Sequence, residues 1–343
     1  MFIEKFRTSK SFIAVNKEIA AETNIKIEEI RRYTAPFFDH LKKMGFIVKE
    51  GSSVNLKTRA RFNKNKQLDE YKIEKCLDAA ETTDVYIARV IGLQKKVIIK
   101  LLKQVSKADN DQFKSEYNFL YTLNNSGVTP EVYAFKKEKT YRYFVQEYIQ
   151  GPPLNEYLRL HPKMKLPTFI KIAGSLIHSF KIIHDNSIVH GDIHPGNIFI
   201  SARRQVKLID FGLALHHTLE CNEMVDHGGV YFYMPPERIN NTTHQKFLKQ
   251  PDFFSDVFQV GVVLYGMLYN KYPFNGITWE ELALEIKEKE PVFKDVSIFG
   301  FNVPEWIKQL IQKCLSKNPE QRFADAAQLN KAFQKKLIHV RNI

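Results

Sequence analysis

Ile188-Val-His-Gly-Asp-Ile-His-Pro-Gly-Asn-Ile-Phe-Ile200, followed shortly by Val206-Lys-Leu-Ile-Asp-Phe-Gly212, is the stretch on which the reading of this chain turns. Apolar segments bracket polar loops, and a carboxylate, an amide and a second carboxylate recur as Asp192, Asn197 and Asp210. A loop carrying Asp and, five residues later, Asn can set a proton acceptor beside a nucleophile and a neutral oxygen ligand beside a cation. Asp210, ending an apolar strand before Phe-Gly, supplies an anionic oxygen. Magnesium takes hard oxygen ligands of this kind together with substrate phosphates. The joint order and spacing argue against three unrelated loop polars.

Working outward, Val97-Ile98-Ile99-Lys100 reads as an apolar strand ending in one lysine. Sixteen residues on, Glu116 falls in a predicted helix with Phe113, Tyr117 and Leu120 on its apolar side. Neither segment says much alone, since a lone helical Glu is normally solvated.

Taken together, these motifs resemble the protein kinase superfamily, from about Tyr71 to Leu337. Its catalytic loop H-R-D-x-x-x-x-N is matched by His190-Gly191-Asp192 through Asn197, and D-F-G by Asp210-Phe211-Gly212. The resemblance implies an α+β, bilobal fold with a small β-rich lobe over 71–149 and a large helical lobe over 150–337. It also implies an ATP-dependent enzyme acting on protein serine or threonine, with Mg²⁺ or Mn²⁺ as its ion. Lys100 would hold the α and β phosphates and Glu116 would orient it; Asp192 would accept the substrate proton; Asn197 and Asp210 would bind the metal. The hinge would be Glu147-Tyr148-Ile149, with Phe199 on the pocket floor and Ile98 narrowing it. Met234-Pro235-Pro236-Glu237 resembles the A-P-E end of an activation segment, and Arg322 the partner of its glutamate. Asp256, opening a helix that runs through Gly261, resembles the residue that holds the catalytic-loop backbone. Phe211, His190 and Leu120 fall at the family's internal hydrophobic spine.

The pattern also departs from the family. The Gly-rich phosphate loop should lie at 78–85, where the chain reads Asp78-Ala-Ala-Glu-Thr-Thr-Asp-Val85. Without its glycines the backbone is expected to approach phosphates less easily, and two nearby carboxylates to repel them. Gly191 replaces the arginine that usually meets an activation-loop phosphate, so loop phosphorylation is not the expected switch. Val230 replaces a threonine near the catalytic Asp, and His194 a lysine. His194 is read either as a donor to the γ-phosphate when protonated or as a ring packed under the loop.

Ahead of this body lies a basic segment. The chain has 343 residues and a formal charge of +13, of which residues 1–66 carry +8. Asn16 as a helix cap, apolar positions Ile27, Ile30, Tyr33, Phe37, Leu41 and Met44, and a hairpin over 46–57 resemble a winged helix-turn-helix. Domains are expected at 1–60 and 71–337, joined by a basic linker at 61–70. DNA contact through Arg31, Arg32, Lys42 and Lys43, or protein docking, both remain open for residues 1–66.

Composition sets the remaining bounds. With 44% hydrophobic and 26% charged residues the chain is no disordered or collagen-like protein. The longest apolar run, Val257 to Tyr269, is short for a membrane span, so no membrane partner is expected. Three scattered cysteines suit a reducing, cytoplasmic compartment. The His-Gly-Asp loop also resembles aminoglycoside and choline kinases and the RIO kinases, and the missing glycines would suit a pseudokinase scaffold. Pro236-Glu237, Asp256 and Arg322 favour a protein kinase over the former, and the retained Lys100, Asp192 and Asp210 over the latter.

Overall fold

The computed structural model describes residues 60–103, 106–217, 230–239, 250–276 and 279–341, and a few positions between 16 and 30. The hairpin at 46–57 and the candidates Arg31, Arg32, Lys42 and Lys43 lie outside the described residues.

The small lobe is a six-stranded antiparallel sheet. Its strands are β1 (Gln67–Leu68), β2 (Tyr71–Ala79), β3 (Thr83–Val90), β4 (Lys96–Leu102), β5 (Val132–Lys137) and β6 (Arg142–Glu147), in spatial order β1-β2-β3-β4-β6-β5. Alternation assigns the faces. In β3, Asp84, Tyr86 and Ala88 are buried with Tyr71, Ile73, Ile99, Leu101, Tyr143 and Val145 on one face. Val85, Ile98 and Lys100 fall on the other, because Val85 pairs with Lys100 and their neighbours Asp84 and Leu101 pair on the buried side. The helix α1 (Lys107–Thr122) begins at Ser106, whose hydroxyl caps the N–H of Asp109, and buries Phe113, Glu116, Phe119 and Leu120. Phe62, in the stretch read as a basic linker, and Ala60, just before it, pack against the sheet's closed face.

The large lobe follows: α2 (Leu154–Leu160), α3 (Leu166–Asp185), the short strands β7 (Ile188–Val189), β8 (Ile198–Ile200), β9 (Val206–Leu208) and β10 (Leu215–His216), then α4 (Phe253–Tyr269), α5 (Trp279–Glu288), α6 (Glu305–Cys314) and α7 (Ala326–Arg341). By length and composition α3 is apolar enough to cross a membrane, but here Ile172, Leu176, Ile177, Phe180 and Ile183 are wholly buried in the lobe's core. The helix α4 is apolar nearly all round and is accordingly the lobe's central helix. It starts at Asp252, which caps the Ser255 N–H, and stops at Asn270, which takes the left-handed conformation (φ 49°). Burial of a large apolar side chain is worth about 1.5–3 kcal/mol. Phe169, Phe180 and Phe258, all fully buried around these helices, therefore fix the platform beneath the polar loops.

Candidate active site

The catalytic-loop backbone is held from below by one face of α4. Asp256 and Gln259 stand three residues apart, hence side by side on the helix. The Asp256 carboxylate accepts the N–H groups of His190 (2.8 Å) and Gly191 (2.9 Å), and Gln259 Oε1 accepts that of Ile193 (3.0 Å). Asp256 is fully buried and also meets His184 Nε2 at 3.1 Å. His184 Nδ1 accepts the Ala326 N–H (3.0 Å), which leaves the ring proton on Nε2, facing the carboxylate. Sequence reading found Asp256 and missed Gln259 and His184; the signal for Gln259 was a lone amide interrupting an apolar helix.

Lys100 lies between two carboxylates. Its Nζ meets Glu116 Oε1 at 2.6 Å and Asp210 Oδ1 at 3.1 Å. Burial works against the Lys100 ammonium, but Glu116 and Asp210 outweigh it and raise its pKa above the ordinary lysine value. Burial pushes the Glu116 carboxyl up, and the ammonium pulls it only partly back. Burial would also raise Asp210, yet Lys100 more than cancels this and leaves its pKa below the usual aspartate value. Asp210 is nearly half exposed (47%) and in the left-handed region at φ 64°, so it reaches from the strand end toward Lys100. Such backbone geometry costs on the order of 1–3 kcal/mol and persists where surrounding contacts enforce it.

Asp192 and Asn197 meet as their spacing implied. Asn197 Nδ2 donates to the Asp192 carbonyl (3.1 Å) and lies 3.4 Å from its carboxylate. The amide oxygen of Asn197 is thereby left as its ligand atom. The Ile209 N–H donates to the Asn197 carbonyl at 3.0 Å, which ties this loop to the strand that presents Asp210. Among the described residues no group of three or more His, Cys, Asp or Glu forms a metal cluster. Two hard oxygens from Asp210 and Asn197 nonetheless fit an ion that completes its shell with water and phosphate.

His194 lies in the catalytic loop with its ring 6.2 Å from that of Tyr233 and its side chain 25% exposed. Its Nδ1 accepts the Gly196 N–H (3.2 Å), and its Nε2 faces Asp192 Oδ2 at 3.8 Å, beyond hydrogen-bond reach. Burial lowers its pKa, more than the Asp192 charge raises it, and so favours the neutral ring.

Around the pocket, Ile98 pairs with Gln146, and Phe199 bridges to Pro153. Gln146 Oε1 is buried without a hydrogen-bond partner, a feature that the sequence did not signal. The Glu147 carboxylate bonds Lys207 Nζ and the Glu131 N–H, and lines an outer cavity of about 690 Å³ with Lys95, Lys96 and Tyr133. The Glu147 N–H is likewise taken, donating to Glu131 O at 2.8 Å. Ile149 lies two residues past the end of β6, outside the sheet ladder.

Of the three carboxylates in the glycine-free hairpin β2–β3, Asp84 faces the closed side of the sheet, away from Lys100, bonded to Tyr86 and ion-paired to Lys103, while Asp78 and Glu81 are exposed. Gly191 has φ +77°, and a Cβ there would meet Leu213 O and Pro251 Cγ at 3.1 Å each, so even a methyl group is crowded. His190 and Phe211 rings touch at 4.8 Å, while Leu120 is buried on α1.

A family model described as the protein kinase domain matches residues 71–336. The chain belongs to the protein kinase family. It is similar to serine/threonine-protein kinase PrkC of Bacillus subtilis, 28% identical over 268 residues, covering 75% of this chain and 39% of the relative. It is also similar to serine/threonine-protein kinase PknB of Mycobacterium leprae, 27% identical over 270 residues, covering 76% and 42%. PknB of Mycobacterium tuberculosis matches at 27% over 271 residues, with the same two shares of 76% and 42%. The chain therefore spans about two fifths of the length of these relatives. Membership in the kinase family implies ATP and a divalent ion, and explains why Lys100, Glu116 and Asp210 converge from strand, helix and loop.

Proposed function

We propose that this chain is an ATP-dependent protein kinase that transfers the γ-phosphoryl group to serine or threonine hydroxyls of a protein. The observation that carries the reading is Lys100 ion-paired to both Glu116 and Asp210, above a loop in which Asp192 and Asn197 are joined. In this reading Lys100 neutralises the α and β phosphates and Glu116 fixes its position. Asp192 accepts the proton as the substrate oxygen bonds to phosphorus and the bridging oxygen of ADP leaves. Asp210 and the Asn197 amide oxygen hold the divalent ion, read as Mg²⁺, which supplies positive charge to the phosphate oxygens. His194, neutral, presents an N–H beside Asp192. The peptide-docking frame of Glu237 and Arg322 supports a protein substrate.

The basic residues 1–66 are read as a recruiting head for DNA or an acidic protein. Free thiols at Cys76 and Cys314 suit a cytoplasmic setting.

The test is labelling of a generic protein and of the chain itself with ATP and Mg²⁺, followed by mass spectrometry of the modified residue. Phosphoserine or phosphothreonine, lost in Asp192→Ala, is the expected result. Equal labelling by wild type and Asp192→Ala would overturn the assignment, and phosphate on small molecules alone would move the reading to an antibiotic-kinase-like enzyme.

A further inference from the structure

The phosphate hairpin lacks glycine, yet its tip is closely tied. Pairing with β4 runs to the first residues of β3, with Thr83 opposite Leu102 and Asp84 opposite Leu101. Beyond the ladder, the Lys103 N–H donates to Thr82 O at 2.7 Å and the Ala80 N–H to Thr83 O at 2.8 Å. Within this corner Asp84 is fully buried on the face away from Lys100.

A buried carboxylate needs donors. Those of Asp84 are Tyr86 Oη on the same strand (2.6 Å) and the main-chain N–H of Arg61 (2.7 Å), both on Oδ2, while Lys103 Nζ just past β4 forms an ion pair with Oδ1 at 2.8 Å. Arg61 lies outside the sheet altogether. Its neighbour continues the contact, since the Phe62 N–H donates to Tyr86 Oη (3.0 Å) and the Phe62 ring meets Tyr141 edge-on at 5.4 Å. The Arg61 guanidinium donates to Thr140 Oγ1 (2.7 Å) and Lys103 O (3.1 Å), and lies 4.9 Å over the Tyr141 ring. Two consecutive residues thus bridge the hairpin, the end of the strand that carries Lys100, and the β5–β6 turn.

We propose that Arg61-Phe62 is a strap that positions the glycine-free hairpin over the nucleotide phosphates, with Asp84 the positioning residue through which it acts. The proposal rests on the ATP-binding reading above. A glycine loop reaches the phosphates because its backbone is free to adapt. A hairpin with side chains at every position has less of that freedom, and is useful only if held in the correct place beforehand. The strap grips the face opposite Lys100, so it sets where the hairpin stands without touching Asp192 or the transferred group.

The test uses the full chain with Arg61→Ala/Phe62→Ala and, separately, Asp84→Asn, a near-isosteric change that removes the charge. KM for ATP is expected to rise at least about five-fold while kcat changes less than about two-fold, as expected when ground-state and transition-state binding are lost together. A melting curve verifies that each variant is folded. Amide hydrogen exchange at residues 79–84 is expected to quicken in both variants, and this readout needs no activity. Unchanged exchange at those amides in the folded double variant overturns the strap, whatever the enzyme does. Faster exchange with kcat reduced and KM for ATP unchanged also overturns the positioning role. If the wild type neither binds nor uses ATP, the kinase reading fails, and the strap is then decided by exchange alone.

Discussion

Arg322 grips Glu237 with both arms of its guanidinium, at 2.9 Å (Nη1 to Oε1) and 2.8 Å (Nη2 to Oε2). The same group donates to the carbonyls of Ser316, Phe254 and Lys317, and its plane rests 4.9 Å over Phe258. The Arg322 side chain is inaccessible to solvent and that of Glu237 only 12% exposed. Removing one member of a buried pair leaves the other uncompensated, at a cost of about 3–5 kcal/mol. Arg322→Ala should lose about that much stability in urea titration. A loss below about 1 kcal/mol, as surface pairs give, would show that the bridge does not hold the large lobe.

Lys100→Met should leave the fold in place and remove phosphoryl transfer by a factor of about 10²–10³ or more, the usual cost of deleting a group aimed at developing charge. Glu116 would then be buried without its cation, leaving burial and the Asp210 charge, both of which push its carboxyl up, unopposed. Labelling kinetics beside a melting curve checks both halves. An activity within about ten-fold of wild type would remove Lys100 from the phosphate site.

The two lobes and the chain of Lys100, Glu116, Asp192, Asn197 and Asp210 were legible because each belongs to a short motif with fixed spacing. What spacing does not encode is direction. Glu147 carries a hinge position, but its carboxylate turns outward to Lys207, and Asp84, one of three carboxylates in the glycine-free stretch, turns to the closed face of the sheet. Both are decided by strand alternation and by partners remote in sequence. Gln259 broke the apolar pattern of its helix visibly, yet its bond to the Ile193 N–H appears only once the helix is laid beneath the catalytic loop. The charge run around residues 57–66 marked a boundary, while Arg61 and Phe62 within it pack on the sheet. A basic composition gives no sign of which few residues are held.

Gly191 should resist substitution. Its φ of +77° is left-handed backbone, where a side chain costs roughly 1–2 kcal/mol. A Cβ there would also press on Leu213 O and Pro251 Cγ at 3.1 Å each. Gly191→Ala is expected to lower stability by at least that amount, read in denaturant. Gly191→Arg, which restores the family's usual residue, is expected to reduce activity and not to make it depend on loop phosphorylation. A phosphatase-sensitive gain of activity in that variant would contradict this reading of the loop.

Lys317 gives the protein a pH dependence of its own. Its Nζ donates to Ile286 O at 2.7 Å and lies 3.6 Å above the Phe274 ring. Burial lowers its pKa from 10.5 to about 8, with Glu290 opposing and the Arg322 charge adding to the shift. Between those two values the unfolded chain holds a proton that the folded chain has released, so stability rises with pH across the window from about 8 to 10.5. Below pH 8 both states are protonated, and the charged amine carries its full desolvation cost. The side chain is partly exposed and the Phe274 ring favours the cation, so the gain is on the order of 1 kcal/mol after screening. Lys317→Met loses the bond to Ile286 at every pH, a constant offset, and the diagnostic is therefore the slope. Urea titrations from pH 7 to 10 should show wild type gaining stability relative to Lys317→Met, with the gain setting in near pH 8 and growing above it. Parallel curves for the two proteins would mean that the lysine keeps its ordinary pKa and that the ring, rather than burial, governs it.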